Sequence, residues 1–185
     1  GYTLVVSGPG AIASAPHLYP RMAYNPATDL VPVAMLGAGA FALVVHPSLP
    51  VNNVQELITL AKSRPGQLNF GSGGNGSSGQ LCTELFCMMA GIKMTHVPYK
   101  GDGQALNDML GGQFQVFFTA PNVAMPHVKS GRLRLLALTS RDRVSTMPEV
   151  PTVHEAGVKD FEYLGWIVMF APGAIPVLAT WLLPR

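Results

Sequence analysis

The chain has 185 residues, 12 Lys and Arg against 10 Asp and Glu, a formal net charge of +2, and 12% charged beside 48% hydrophobic residues. That length suits one ordinary domain or two small ones with a real core, while the thin positive charge, without a Lys/Arg cluster or interleaved aromatics, argues against a nucleic-acid partner. The longest apolar runs, FALVV at 41–45 and WIVMFA at 166–171, fall short of the roughly 20 residues that a membrane-spanning helix needs.

Polar work therefore rests on Ser, Thr, Asn, Gln and the backbone, which suits a ligand held by hydrogen bonds. The chain starts without an initiator Met or a charged-then-apolar leader, so it reads as processed or as a piece of something longer. Residues 3–6 look like a strand, 7–30 are rich in Pro, Gly and Ala, and 31–35 form an apolar run leading through GAGA. From 43 to 139 a short apolar run, a turn and an amphipathic run recur, the pattern of βα units on a parallel sheet. Strands are expected at 43–45, 68–70, 94–97, 114–118 and 133–138.

The first helix of this block has Asn53 as its cap with Glu56 reaching back. Val54, Leu57, Ile58 and Ala61 form its apolar face, and Arg64-Pro65-Gly66 ends it. The next helix has Leu81, Leu85, Met88 and Met89 as its core side and stops at Gly91. Cys82 and Cys87 lie about 140° apart around it, which disfavours a disulfide and suits two small core residues. Shorter helices are expected over 104–110 and 122–129, the latter starting nearer Met125 because Pro126 suits a first turn. After 139 come a loop with one helical turn, a strand over 163–171 and the start of a helix over 176–183. Head and tail lie outside the repeating block, which suggests two lobes joined by crossing segments.

Between the second strand and its helix lies NFGSGGNGSSGQL, residues 69–81, with five glycines in nine positions. Gly71, Gly73 and Gly76 spell G-x-G-x-x-G, but a dinucleotide site also needs an acid about 20 residues on for the ribose. The nearest acid beyond the next strand is Asp102, 31 residues from Gly71. No Gly-Lys-Ser/Thr follows, and neither Ser77 nor Ser78 sits in G-x-S-x-G. The histidines at 17, 46, 96, 127 and 154 have neither i, i+4 pairing nor zinc-type spacing. No cofactor or metal motif is complete. What remains is an anion cradle, formed by loop amides with Ser72, Asn75, Ser77 and Ser78 around the positive end of a helix, suited to carboxylate or phosphate. The plainer alternative is that the glycines only allow tight strand-to-helix packing.

In order and spacing, GYTL (1–4), HLYPRMAYNP (17–26), HPSLP (46–50) with ELI (56–58), FGSGGNGSSGQL (70–81), AGI (90–92), HVPYKG (96–101), LGGQ (110–113), MPHVKSGRLRLLALTS (125–140), PEVPTVHEAG (148–157) and WIVMFAP (166–172) resemble the solute receptors of tripartite tricarboxylate transporters, the Bug family of extracytoplasmic solute-binding proteins. The resemblance implies an α/β fold of the periplasmic-binding-protein type II kind, with two lobes and parallel-type sheets. It places residues 44–165 as a complete second lobe and 1–43 with 166–185 as a partial first lobe. It also implies a periplasmic location, a small carboxylate ligand, membrane permease subunits as partners, and binding without catalysis.

By the same resemblance Ser72, Gly74, Gly76 and Ser77, with Asn75 and Ser78 beside them, grip the carboxylate, and Ser7 and Gly8 stand at a second ligand loop. Thr119 occupies a place where the family often has Asp, which disfavours an amino acid, and Phe41 and Tyr99 are candidate cleft walls. Ala11 and Ala15 depart from the usual Thr and Asn. The family's first strand, a P-G-G ligand loop, a helix and a second strand are not found ahead of GYTL, so a chain truncated at both ends is expected, with a first lobe prone to self-association. Two other readings stay open: a fragment without high-affinity binding, and a Rossmann-type nucleotide-dependent enzyme.

Overall fold

The computed structural model describes residues 3–173. In chain order its elements are β1 (Val5–Ser7), a π-helical turn (Gly10–Ser14) running into α1 (Ala15–Leu18), α2 (Pro26–Asp29), β2 (Leu30–Ala40), β3 (Ala42–Val45), α3 (Val54–Ser63) and β4 (Asn69–Ser72). Then follow α4 (Ser78–Ala90), β5 (Thr95–Pro98), α5 (Asp102–Leu110), β6 (Val116–Thr119), α6 (Pro121–Lys129), β7 (Arg134–Leu138) and β8 (Leu164–Pro172). Two compact units divide them, one of residues 39–164 and one of 3–38 with 165–173. The helix expected over 176–183 lies outside the described residues.

The larger unit holds a five-stranded sheet in the order β5-β4-β6-β3-β7. β4 runs parallel to β5 and β6, but β3 is antiparallel to both β6 and β7. The sheet is therefore mixed, which corrects the all-parallel expectation. Periodicity marks where strands lie and is blind to their direction. β3 enters from residues 39–41, so its first residues lie at the edge where β4, β6 and β7 end.

Side-chain alternation sends successive residues of each strand to opposite faces. Leu43, Val45, Phe70, Val116 and Phe118 meet Leu57, Ile58, Cys82, Phe86 and Cys87 of α3 and α4. Ala42, Val44, Phe114 and Phe117 meet Ala105, Met109 and Ala124 of α5 and α6. Helices thus cover both faces, as a sheet of continuous apolar runs requires.

α3 forms as its sequence dictates. Val54, Leu57, Ile58 and Ala61 are buried, and the Asn53 side chain accepts the Glu56 amide at 2.9 Å. Glu56 reaches back one residue further than expected, accepting the Asn52 amide at 2.7 Å. α4 departs from expectation. It buries Gly79, Cys82, Thr83, Phe86 and Cys87 and turns Met88 outward at 73% exposure, with Met89 also exposed. The reason is close approach: a β-carbon on Gly79 would lie 3.0 Å from the Phe118 carbonyl, so the packed face takes small residues and Phe86, which meets both Phe118 and Phe161. Both cysteines are buried free thiols, pushed up by burial, Cys87 to about 12.

α6 starts at Pro121 rather than near Met125 and runs through Pro126. Pro121 takes the first helical position, where no amide is needed, and the Ser130 amide closes the far end on the Pro126 carbonyl at 3.2 Å. The expected helical turn after 139 is a single turn closed by the Ala156 amide on Thr152 at 2.9 Å, braced by Glu155 against Arg143.

In the smaller unit the sheet order is β1-β8-β2, with β1 antiparallel to β8 and Val5 opposite Phe170. Leu4, Val5, Val6, Met35, Leu36 and Ile167 are exposed.

Gly71 has no room for a side chain, because a β-carbon there would fall inside the buried Phe114 ring. Gly71→Ala should cost about 1–3 kcal/mol, the range for overpacking a core, seen as a lower urea midpoint. Gly37→Ala, whose β-carbon would meet open space, should stay within about 0.5 kcal/mol of the parent.

Candidate functional site

β4, β5, β6 and β7 all end at one edge of the larger sheet, the edge at which open α/β sheets hold their ligands. The glycine loop leaves β4 there. Its first side chain, Ser72, is fully buried. The Ser72 hydroxyl lies 2.6 Å from Nε2 of His96 and accepts the Gly74 amide at 3.1 Å, with the Gly74 carbonyl also at 3.1 Å. His96 stacks on Phe70 at 4.8 Å, and burial lowers its pKa from 6.5. A neutral imidazole carries one N–H and one lone pair, so Nε2 and the Ser72 hydroxyl share one hydrogen bond whose direction follows the tautomer. Ser72 therefore holds the loop to β5. Its hydroxyl is bonded inside the protein.

The next residues shape a helix entrance. Gly74 has φ 127° and its β-carbon would lie 2.9 Å from the Tyr99 carbonyl, so glycine is needed twice over. Ser77 caps α4, its amide bonded to the Gly74 carbonyl at 3.1 Å and its hydroxyl accepting the Gln80 amide at 3.4 Å. Gln80 reaches back to the Gly76 amide at 2.6 Å, a reciprocal arrangement of capping-box type. Among the described residues, the amides of Asn75, Ser78 and Gly79 are left with no partner. Asn75 is exposed, Ser77 and Ser78 are half-buried and Gly76 is buried. The Ser78 hydroxyl meets the Tyr163 phenol, itself pushed up mainly by burial.

Asp102, the first residue of α5, belongs to this loop. A β-carbon on Gly73 would lie 2.5 Å from Oδ1 of Asp102 and 3.3 Å from its amide. Although the residue as a whole is exposed, its carboxyl tucks against Gly73. Desolvation there raises its pKa, and the Gly73 amide opposes that rise in part.

The other predicted residues are spread out. Thr119 ends β6 at the same edge, but alternation puts it on the face of Phe117, opposite to Ser72. It is fully buried and its hydroxyl has no partner among the described residues. Phe41 packs on the α3–α4 side, edge-on to Tyr163 at 5.7 Å. Tyr99 packs on the α5–α6 side against Phe114 at 5.6 Å, so the two expected walls stand on opposite faces of the sheet. Ser7 and Gly8 belong to the smaller unit, where the Ser7 hydroxyl donates to the Gly8 carbonyl at 3.3 Å and Gly8 sits against the Trp166 carbonyl.

Sequence reasoning missed His96, Gln80, Asp102 and Tyr163. Gln80 was legible as the third residue after a capping serine, and His96 opens the quoted HVPYKG. Asp102 and Tyr163 carry no local signal, since folding alone brings them to the loop. The dinucleotide reading meets a second obstacle besides the missing ribose acid. Asp102 places a carboxyl against an amide that a pyrophosphate would need.

The chain matches the tripartite tricarboxylate transporter family receptor over residues 1–178. It is 38% identical over 173 residues to Protein BugT of Bordetella pertussis, covering 93% of this chain and 53% of that protein. It thus spans about half the length of that curated relative. Among solved structures, R. palustris Rpa4515 with adipate superposes with a TM-score of 0.93 at 37% identity, over 99% of this chain and 61% of that one. MatC (Rpa3494) from Rhodopseudomonas palustris with bound malate gives 0.87 at 29% identity, over 96% and 60%. The α/β architecture is the one these receptors share.

His96 gives the site a pH signature. Its folded pKa lies below the ordinary 6.5, so the unfolded chain takes up the proton first as pH falls. Stability should be fully present above about pH 6.5 and decline as pH drops from there to the lowered folded value. Thermal melts of the parent and of His96→Gln across this window should differ in slope. Equal slopes would show that His96 is not held neutral.

Proposed function

The chain belongs to the tripartite tricarboxylate transporter receptor family, and from that membership we propose that it is a periplasmic receptor that captures a small organic carboxylate for membrane permease subunits. The observation that carries the reading is the donor set at the start of α4. Unpartnered amides at Asn75, Ser78 and Gly79, with hydroxyls of Ser77 and Ser78, converge at a helix N-terminus. Such a set receives a carboxylate, with the dipole adding about 0.3–1 kcal/mol. Residues 44–165 form the lobe that presents it.

The burial of the reactive-looking groups supports binding rather than turnover. Ser72 and His96 are paired like a nucleophile and its base, yet Ser72 has no exposure. A buried hydroxyl reaches no substrate. Rpa4515 with adipate and MatC with malate point to aliphatic dicarboxylates as the class to try first.

Thermal shift should show stabilisation by adipate or malate and none by NAD or ATP. The reverse result would reinstate the nucleotide enzyme, and no response to any carboxylate would favour a chain without high-affinity binding. Ser78→Ala should weaken carboxylate binding by about tenfold or more, since a hydrogen bond to a charged group is worth about 1.5–3 kcal/mol. Calorimetry measures it.

The exposed strand residues Val5, Val6, Met35, Leu36 and Ile167 also make an apolar surface of the kind that associates. Sedimentation velocity should show mass rising with concentration. A single monomer boundary at every concentration would exclude this association.

A further inference from the structure

The cap of α4 is held by a chain of hydrogen bonds that begins outside the glycine loop, on β5. Nε2 of His96 lies 2.6 Å from the Ser72 hydroxyl, which meets both the amide and the carbonyl of Gly74 at 3.1 Å. The same Gly74 carbonyl accepts the Ser77 amide at 3.1 Å, and Ser77 caps α4. Ser72 has no exposure, so its hydroxyl depends on these partners.

A hydroxyl has one hydrogen to give. Where Nε2 carries a proton, it donates to Ser72, and the Ser72 hydrogen goes to the Gly74 carbonyl. Where Nε2 carries a lone pair, the Ser72 hydrogen turns to the ring, and the Gly74 carbonyl keeps only the Ser77 amide. A neutral ring allows both arrangements, and a protonated ring allows the first alone. The ring stacks on Phe70 of β4, a strand with no titratable side chain over Asn69–Ser72. α4, packed on β4, carries Glu84, which is exposed, and the buried thiols Cys82 and Cys87. Asp102 meets the loop at Gly73. Among the described residues no charged neighbour contributes to the displaced His96 pKa, whose cause is burial.

We propose that His96 is a positioning residue for carboxylate binding: by donating to Ser72 it fixes the Gly74 peptide that holds the α4 cap, so the protonated ring and the bound anion favour each other. The inference rests on the receptor reading above and gives His96 a role exerted through Ser72, not a contact with the ligand.

Such coupling is reciprocal and can be read from either side. The probe is adipate, with malate in its place if adipate does not bind. The His96 ring is followed by proton NMR on the full chain, assigned through its contacts with the Phe70 ring. Its pKa should rise by about 0.5 or more at saturating ligand, which corresponds to about threefold tighter binding to the protonated form. Calorimetry should find the parent gaining about threefold over His96→Gln from about pH 7.5 to 5.5, the titration of the ligand itself being common to both. Ser72→Ala should abolish the response of the ring to ligand, and the measurement on the parent decides the matter even where that variant fails to fold. A merely structural His96 would alter melting temperatures and leave the ring pKa indifferent to ligand.

A ring pKa unchanged by bound ligand, equal pH profiles in the parent and His96→Gln, or a response that persists in Ser72→Ala overturns the inference while leaving the receptor reading intact. No binding of either carboxylate by the parent overturns the receptor reading, and this inference with it.

Discussion

Where β4 gives way to α4 the backbone passes between two packed layers that leave almost no room for side chains. Gly71 lies against the Phe114 ring, Gly74 against the Tyr99 carbonyl and Gly79 against the Phe118 carbonyl. Such contacts bring the start of α4 down onto the strand ends. That proximity is what makes the internal hydrogen bonds of the loop available: Ser72 to His96, Gln80 to Gly76, Ser77 to Gly74. The glycines supply conformation and clearance, and the polar side chains then lock the shape. A loop this constrained costs little to hold ready for a ligand, because its ordering entropy is spent during folding.

The locking is selective in which donors it consumes. Amides of Gly74, Gly76, Ser77 and Gln80 are bonded within the loop, so the many N–H groups of a glycine-rich turn reduce to a few without a partner among the described residues. With 12% charged residues in the whole chain, charge is scarce enough that each carboxyl near this turn matters. Asp102 is the one that folding delivers there. The unmet hydroxyl of Thr119 among the described residues is a local violation of the rule that buried polar groups are satisfied. Such violations concentrate at functional sites.

Local features were legible where local physics decides them. α3 could be drawn from its cap, its apolar face and its Pro-Gly stop, and it forms from Val54 to Ser63 with the expected four residues buried. α4 is not legible from apolarity alone: Met88 and Met89 are more apolar than Gly79 or Thr83, yet the sheet's nearness, a tertiary fact, selects the small face. Strand direction leaves no trace in periodicity, so the pattern alone does not reveal that β3 runs antiparallel to β6 and β7. The faces were legible in principle: alternation along VFFT places Thr119 away from Phe118, and the same count separates it from Ser72. Asp102 could not be found by spacing, since 31 residues separate it from Gly71 in sequence and only the return of β5 beside β4 brings it to Gly73.

Thr139 shows how the site is tied to the ends of its unit. It follows β7, and its hydroxyl accepts the Phe41 amide at 2.6 Å while donating to the Tyr163 carbonyl at 2.7 Å. Its own amide donates to the Phe41 carbonyl at 2.9 Å, and its carbonyl accepts the Tyr163 amide at 2.8 Å. Four hydrogen bonds, each worth about 0.5–1.5 kcal/mol net, thus fasten the segment where the chain enters the larger unit to the segment where it leaves. Phe41 and Tyr163 then meet edge-on, and the Tyr163 phenol continues to Ser78 at the start of α4. The entrance, the exit and the start of α4 are therefore joined through one threonine and one tyrosine.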